Sequence, residues 1–370
     1  MRFFLPALLL FIYSCASMDY TPEDIPLTRD SLSALSIDSI DYKYAKIDSF
    51  FTAKSKRRGF NGAVLAAEKG KLIFKKAYGV ADYNTKEPIK TSTSFQLASV
   101  SKPFTAAAVL ILVEEGKISL EDDVRKFFPE FPYEDISIEL LLIHRSGLPN
   151  YMYFTDKHWK NKREPIKNSE VIKLFEKYSP IYYYKPNVRY NYSNTGYMLL
   201  ASIVEKVSGM RFGDFLKNKI FEPAGMKNSY LYNKNFNKVK SNSATGYYRW
   251  RRKAEDTYLN GVVGDKGVYS SVEDMLQFDR ALRSNLLLSG STLAKAYTAA
   301  HPELHVNDNY GFGWRINDAD STNKIVYHSG WWKGFRSYFI RQLGEQKTII
   351  VLSNVSRNTP ISTRELIQLF

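Results

Sequence analysis

The chain has 370 residues, which is enough to bury a large core in one domain or in two. Hydrophobic residues make up 44% and charged residues 24% of it, values typical of a globular protein, so a chain that is disordered throughout is excluded. The net charge of +14 could suit nucleic acid, but no nucleic-acid-binding motif accompanies the basic clusters, so we interpret them as a solvated basic surface, with attraction to acidic cell-wall polymer or anionic lipid as the alternative.

The first 14 residues are predicted to be a lipoprotein signal peptide. Arg2 supplies the positive flank, and the apolar run from Phe3 to Tyr13 is far shorter than the ~20 residues needed to span a bilayer. Ile12-Tyr13-Ser14-Cys15 resembles the lipobox of bacterial lipoproteins, in which the cysteine becomes the lipidated N-terminus. Cys15 is the only cysteine, so an internal disulfide is impossible. We expect an exported, membrane-anchored bacterial lipoprotein; an ordinary secretory signal with an incidental cysteine is the alternative.

A tether, a helix and a hairpin are predicted next. Residues 15–40 are rich in Ser, Asp, Thr and Pro, a composition typical of a flexible tether. A helix is predicted from Tyr42 to Arg58. Two short apolar runs, 62–67 and 71–78, then flank a turn that contains a glycine, and this pattern predicts an antiparallel hairpin.

Ser99 and Lys102 form a Ser-x-x-Lys pattern at the start of an apolar helical run that ends at Gly116, a typical C-cap residue. Residues three apart lie on one face of a helix, so the lysine can meet the serine. Serine is a poor nucleophile unless an adjacent base takes its proton. The start of a helix also offers unpaired N–H groups and the positive end of the dipole, which favour developing negative charge. The pattern therefore predicts a serine hydrolase.

The middle of the chain has a helical pattern, and the C-terminal part returns to strands. The predicted elements are helices at 193–207 and 212–220, a long exposed loop region at 228–260, strands at 324–327, 336–342 and 347–352, and a final helix at 361–370. Strands at both ends with helices between them indicate one α/β domain. We expect its terminal strands to pair across a large sequence separation.

The Ser-x-x-Lys pattern occurs twice, so it is weak when taken alone. Ser321 and Lys324 also match it, but they lie in a polar turn before a predicted strand, where no helix aligns the two side chains. We interpret that copy as chance. The Ser99 copy differs because a helix follows it directly.

Three motifs occur in order along the chain: Ser99-Val100-Ser101-Lys102, Tyr192-Ser193-Asn194 and His328-Ser329-Gly330. On these motifs the chain resembles the serine β-lactamase and penicillin-binding-protein superfamily, in the branch of class C β-lactamases, D-Ala-D-Ala carboxypeptidases and related esterases. The similarity runs from about Gly62 to Asn354. It implies a β-lactamase/transpeptidase-like α/β fold, with an antiparallel sheet flanked by helices, for a domain at 41–370 that carries an inserted helical subdomain at roughly 117–260.

The first two motifs are implied by the resemblance to carry the chemistry. Ser99 is implied to be the nucleophile that becomes acylated. Either Lys102 or Tyr192 is implied to be the base that takes its proton, and the sequence leaves that choice open. Asn194 is implied to hydrogen-bond the substrate amide or Lys102.

The third motif is implied to bind substrate through His328, Ser329, Gly330 and Trp331. The backbone N–H groups of Trp331 and Ser99 are implied to form an oxyanion hole. His328 stands where many relatives have lysine, a permanent cation that attracts a substrate carboxylate. Histidine instead titrates near about pH 6.5. This loss weakens the case for β-lactams and D-Ala-terminated peptides, leaves esters and amides without a carboxylate as credible substrates, and predicts activity that depends on pH between roughly 5.5 and 7.5.

The other histidines are not expected to be catalytic. His144 matches a family position with a supporting role, and His158, His301 and His305 are predicted to lie at the surface. His301 and His305 have helical spacing for metal ligation, but Pro302 and the lack of a carboxylate–histidine framework argue against it. No metal and no other cofactor is expected.

The leading interpretation is an exported serine hydrolase that forms an acyl-enzyme on Ser99 and acts on esters or amides, either peptidoglycan-type D-amino-acid peptides or small esters. One alternative is a penicillin- or peptidoglycan-recognising sensor that is acylated with little turnover, and another is a β-lactamase. The expected partners are a small-molecule or peptidoglycan-derived substrate and a membrane reached through lipidated Cys15. Nucleic acid is not expected, and the oligomeric state is left open.

Overall fold

Strands from both ends of the chain build the central sheet. The computed structural model describes residues 37–301, 303–306, 308–356 and 361–369. The strands of this part are β1 (Gly62–Glu68), β2 (Lys71–Tyr78), β3 (Phe95–Gln96), β4 (Tyr230–Leu231), β5 (Val268–Ser270), β6 (Asn309–Tyr310), β7 (Arg315–Asn317), β8 (Ile325–Trp332), β9 (Phe335–Gln342) and β10 (Lys347–Ser353).

Seven of these strands form an antiparallel sheet in the order β2-β1-β10-β9-β8-β7-β6. β1 pairs with β2 on one side and with β10 on the other, so that Gly62 lies opposite both Tyr78 and Ser353. The predicted pairing of strands from the two ends of the chain is therefore confirmed. The third motif lies in β8, between β7 and β9.

A second, three-stranded sheet has the order β3-β5-β4. It pairs Phe95 with Ser270 and Tyr230 with Tyr269, which places the segment leading to Ser99 beside β5. The prediction that 228–260 is an exposed loop region is wrong in part, because β4 lies in it and Tyr230 and Leu231 are buried. The polar composition hid a strand only two residues long.

Helices cover both faces of the large sheet. They are α1 (Ile37–Arg58), α2 (Lys102–Glu114), α3 (Ile138–Leu142), α4 (Tyr151–His158), α5 (Asn168–Tyr178), α6 (Asn194–Ser208), α7 (Phe212–Leu216), α8 (Val272–Arg283), α9 (Gly290–Ala296) and α10 (Thr363–Leu369). Side chains of a strand alternate between faces. Accordingly, Val64 of β1 packs in one core with Phe51 of α1 and Leu366 of α10, while Leu65 belongs to a second core with residues of α2 and α8.

α2 lies at the centre of the second core. Every residue from Lys102 to Leu112 is buried, and a helix that is buried all round is typical of a protein core. α6 packs against it, so the N-terminal ends of the two helices bring the first and second motifs together. The helical subdomain predicted at roughly 117–260 holds helices α3 to α7.

The chain ends differ from the predictions. α1 begins at Ile37 rather than Tyr42, so residues 37–40 of the predicted tether are helical. The predicted signal peptide at 1–14 and Cys15 lie outside the described residues. α10 begins at Thr363, two residues later than predicted. Within the described part of the chain, no helix is both long enough and apolar enough to cross a membrane.

Candidate active site

Ser99 lies in a 3₁₀ turn, Ala98–Ser101, that runs directly into α2. The turn is held by neighbouring strands, because Leu97 N donates to Val268 O at 2.8 Å and Val268 N donates to Ser101 Oγ at 3.1 Å. Ala98 has the left-handed φ of +52°, an unusual conformation for a residue with a side chain. The local backbone thus fixes the Ser99 hydroxyl at the head of the helix, half-buried at the edge of the core.

Lys102 is fully buried, and its amine makes three polar contacts. Nζ lies 3.3 Å from Ser99 Oγ, 2.8 Å from Asn194 Oδ1 and 3.1 Å from the carbonyl oxygen of Asp265. Burial lowers the pKa of Lys102 to about 7, although the Asp265 carboxylate opposes the shift; the positive charge of Arg315 lowers the pKa further. The amine can therefore exchange a proton near neutral pH.

Tyr192 lies just before α6, on the other side of the Ser99 hydroxyl. Its ring centroid is 4.8 Å from Lys102 Nζ. Burial raises the pKa of Tyr192 well above its ordinary value, and the Ser99 hydroxyl and the charge of Arg315 only partly offset this. At neutral pH the phenol therefore keeps its proton and can serve as a donor.

Asn194 is the first residue of α6 and is half-buried. Its Oδ1 accepts from Lys102, and its Nδ2 is directed to Met152 Sδ at 3.8 Å. Because the amide oxygen contacts the Lys102 amine on one side only, another side of the amine faces Ser99. The structure thus brings together all four side chains predicted from the first two motifs.

The third motif forms the edge of the site along β8. Gly330 touches the Ser99 turn so closely that an added Cβ would lie 2.3 Å from Leu97 O and 3.0 Å from Ser99 N. Only glycine allows this approach, which sets the backbone of β8 beside the Ser99 N–H. Ser329 is half-buried beside Gly330, and the side chain of Trp331 is 53% exposed.

His328 lies behind this edge and does not face solvent. It is 1% exposed; its Nδ1 donates to Ser329 O at 2.8 Å, which leaves Nε2 to accept from the Tyr310 hydroxyl at 3.0 Å. Burial lowers the pKa of His328 well below its ordinary value, and the charges of Lys102 and Arg315 add to this. The expected titration of His328 between pH 5.5 and 7.5 is therefore wrong, because burial and the two cations favour the neutral ring.

Arg315 of β7 is a site residue that sequence reasoning missed. Its guanidinium lies 5.7 Å from the Tyr192 ring centroid and 2.9 Å from Asp308 Oδ1, and its side chain is 28% exposed. It is a permanent cation near Tyr192, which the neutral His328 is not, and Asp308 balances its charge on one side. The only signal in the sequence is its place directly after Tyr310-Gly311-Phe312-Gly313-Trp314, a segment that also resembles the family.

Some of the other histidines are buried in supporting positions and others lie at the surface. His144 is buried, and its Nδ1 accepts from Ser193 N at 3.1 Å while its ring packs 4.3 Å from that of Tyr192, so it positions the second motif. The prediction that His301 lies at the surface is wrong. It is 1% exposed beside Arg145, and burial with this cation lowers its pKa to about 4.

His305 is exposed, as predicted, whereas His158 is half-buried against Tyr178. Ser321, in the second Ser-x-x-Lys pattern, lies in an exposed turn, so no helix aligns it with Lys324. Within the described residues, no group of three or more His, Cys, Asp or Glu side chains is placed to hold a metal ion.

Comparison with known proteins identifies the fold and the family. The model of the family described as Beta-lactamase matches residues 47–369. The chain belongs to the beta-lactamase family. Penicillin-binding protein 4* of Bacillus subtilis is 36% identical over 330 residues, which are 86% of this chain and 73% of the relative. The predicted β-lactamase/transpeptidase-like fold and serine hydrolase class are therefore confirmed.

Two further similar proteins extend the comparison. A D-aminopeptidase of Cereibacter sphaeroides is 24% identical over 86% of this chain and 60% of its own length. The octameric penicillin-binding protein homologue from Pyrococcus abyssi superposes with a TM-score of 0.74, at 29% identity, over 85% of this chain and 74% of that one. The chain thus spans 60% of the length of the D-aminopeptidase.

The buried state of His328 predicts that its ring does not titrate in the neutral range. In an NMR titration of protein labelled at histidine, the His328 resonance, assigned by its absence from His328→Gln, should not move between pH 5 and 8. A histidine-containing model peptide in the same tube, with a pKa of about 6.5, serves as reference. A His328 resonance that moves together with the peptide would contradict the assigned neutral state.

Proposed function

We propose that the protein is an exported serine amidohydrolase that cleaves amide bonds in D-amino-acid peptides of the peptidoglycan type through an acyl-enzyme on Ser99. The observation that carries the proposal is the 3.3 Å contact between Ser99 Oγ and the fully buried amine of Lys102. The relatives support the substrate class, since one is named a penicillin-binding protein and another a D-aminopeptidase. The export signal and the lipid anchor on Cys15 lie outside the described residues and stay predictions.

Lys102 is the base in this proposal and Tyr192 is the acid. A general base works best when its pKa lies near the operating pH, and the pKa of Lys102 is about 7. Tyr192 is unsuited to start as a base because burial keeps its phenol protonated. Burial therefore supports Lys102 rather than Tyr192 as the base, a choice that the motifs leave open.

Acylation then proceeds with a closed proton balance. Ser99 Oγ attacks the amide carbon while its proton passes to Lys102 Nζ, and the carbonyl oxygen becomes an oxyanion that accepts from the N–H groups of Ser99 and Trp331. When the C–N bond breaks, the phenol of Tyr192 donates the proton that the leaving amine needs. The protonated Lys102 next to the phenolate favours this transfer, and its proton then restores the phenol.

Deacylation again uses the Lys102 amine as the base. Neutral Lys102 takes a proton from a water molecule as the water attacks the acyl carbon, and it returns that proton to Ser99 Oγ when the ester bond breaks. Asn194 holds Nζ toward Ser99 in both half-reactions through its 2.8 Å contact. A site that retains this amine next to the acyl group supports turnover rather than a single acylation.

Arg315 supports a substrate that carries a carboxylate. The loss of lysine at His328 removes one cation, but Arg315 supplies another in the same cleft, 5.7 Å from the Tyr192 ring centroid. A guanidinium pairs with a carboxylate through two parallel hydrogen bonds. We therefore place the C-terminal carboxylate of the peptide toward Arg315, which restores D-Ala-terminated peptides as substrates.

Replacing the nucleophile should abolish covalent labelling. A fluorophosphonate or a fluorescent penicillin should label the wild-type protein once, and Ser99→Ala should give no label and lower peptide hydrolysis by at least about 10³-fold. Ser321→Ala, from the second Ser-x-x-Lys pattern, is the matched control and should be labelled like the wild type. Equal labelling of Ser99→Ala would exclude Ser99 as the nucleophile, and a stoichiometric burst without steady-state hydrolysis would favour the sensor over the amidohydrolase.

Removing the cation of the cleft should affect one substrate selectively. For a peptide that ends in D-Ala-D-Ala, Arg315→Gln should raise KM by roughly 10- to 100-fold, because a charge-assisted hydrogen bond is lost. The same peptide with an amidated C-terminus should change by less than about threefold, and the exposed variant Arg211→Gln should leave both unchanged. The kinetics are measured at pH 9, where Lys102 is unprotonated in every variant. An equal loss on both peptides would show that Arg315 only supports the fold.

A further inference from the structure

A buried ion pair with a tyrosine lies directly behind Lys102. Lys266 Nζ is 2.7 Å from Tyr151 Oη and 3.4 Å from Asp265 Oδ1, and Tyr151 Oη is 3.1 Å from Asp265 Oδ2. The Lys266 and Asp265 side chains are 4% and 1% exposed, and Tyr151 is fully buried. Neither the three motifs nor the mechanism above uses these residues.

The pair contacts the proposed base through Asp265 and the strand β8 through Lys266. The carbonyl oxygen of Asp265 accepts from Lys102 Nζ at 3.1 Å. Lys266 Nζ lies 5.2 Å from the ring centroid of Trp332, the neighbour of Trp331 in β8. The segment 265–266 therefore lies between the proposed base and the strand that carries the proposed oxyanion hole.

Stability alone is a weak explanation for such a pair. Two charges taken out of water cost more than most ion pairs return, and an apolar replacement of similar volume is often neutral or stabilising. Here both charges also act on the Lys102 amine. Electrostatic interactions are strong in a buried region because little water is present to screen them.

The charged and titratable groups around Lys102 come from every element packed against it: Asp265 and Lys266 before β5, Arg315 of β7, His328 of β8, His144 after α3, Tyr151 of α4, and Tyr192 with Tyr197 at α6. Within this set of described residues, Asp265 is the one carboxylate. It favours the charged form of Lys102. Burial and the charge of Lys102 lower the pKa of Lys266, and Asp265 opposes this; a positive charge on Lys266 in turn disfavours the charged form of Lys102 through Coulomb repulsion. The two opposite charges thus act on the amine in opposite directions.

We propose that Asp265 and Lys266 are a pair of positioning residues: the Asp265 carbonyl orients the Lys102 amine toward Ser99, and the two opposite charges set the electric potential at that amine. The proposal rests on Lys102 as the base of the proposed function. In this proposal the pair keeps the Lys102 amine able both to take up and to release a proton near neutral pH.

The two charges give predictions of opposite sign. Asp265→Asn removes the anion that favours the charged form of Lys102, so Lys102 should lose its proton more easily and the acid limb of the acylation rate should move to lower pH. Lys266→Met removes the cation and should move the limb to higher pH. Each shift should be roughly one pH unit, as expected for a unit charge several ångströms away in a partly screened interior. The double variant removes both opposing charges together, so its midpoint should lie close to that of the wild type.

The experiment measures the acylation rate by stopped flow with a chromogenic neutral ester from pH 5 to 9, and checks the fold of each variant by circular dichroism. Asp156→Asn and Lys162→Met, from an exposed ion pair with a 3.0 Å contact, are matched controls and should leave the midpoint unchanged. If Asp265→Asn does not fold, the direction of the shift in Lys266→Met tests the proposal by itself. Shifts in the same direction, or no shift in folded variants, would overturn the proposal.

Failure of the proposed function has a different signature. A wild-type profile without an acid limb near pH 7, or a Lys102→Arg variant with the wild-type rate, would exclude Lys102 as the base. A wild-type limb near pH 7 that the Asp265 and Lys266 variants leave in place would instead contradict only the pairing inferred here.

Discussion

The site depends on the burial of one amine. Lys102 is excluded from water by α2, α6 and the segment before β5, and desolvation disfavours its charged form. An exposed lysine three residues after Ser99 would hold its proton at neutral pH and could not take another. The hydrogen bonds from Lys102 to Asn194 and to the Asp265 carbonyl offset the cost of the burial and leave the amine facing the serine.

That burial is produced by contacts between distant parts of the chain. β1 pairs with β10 to close the sheet, β8 presses Gly330 against the Ser99 turn, and the β3–β5 pairing brings Asp265 behind Lys102. The same arrangement removes His328 from water and leaves Arg315 as the cation of the cleft. The third motif has histidine in place of lysine, but a positive charge still lies next to it, that of Arg315 on the neighbouring strand β7.

The sequence predicts the parts of the site that local geometry determines. Ser99 and Lys102 meet because they are three residues apart at a helix start, and the resemblance to known motifs identified Tyr192, Asn194 and the strand at His328. Arg315, Asp265 and Lys266 could not be found this way, because their positions depend on strand pairing and on packing between elements far apart in sequence. The burial of His328 and His301 was missed for the same reason, since a residue in a polar stretch gives no local sign of what covers it. The early start of α1 at Ile37 shows the limit of composition, because a polar segment can be helical when its neighbours continue the helix.

The most direct test of the central claim is the titration of Lys102 itself. A ¹³C NMR titration of protein labelled at lysine Cε would follow the protonation of the amine without relying on catalysis. We expect a resonance with a midpoint of about 7 that is absent from Lys102→Met. A Lys102 resonance that titrates near the ordinary value of about 10.4 would contradict it.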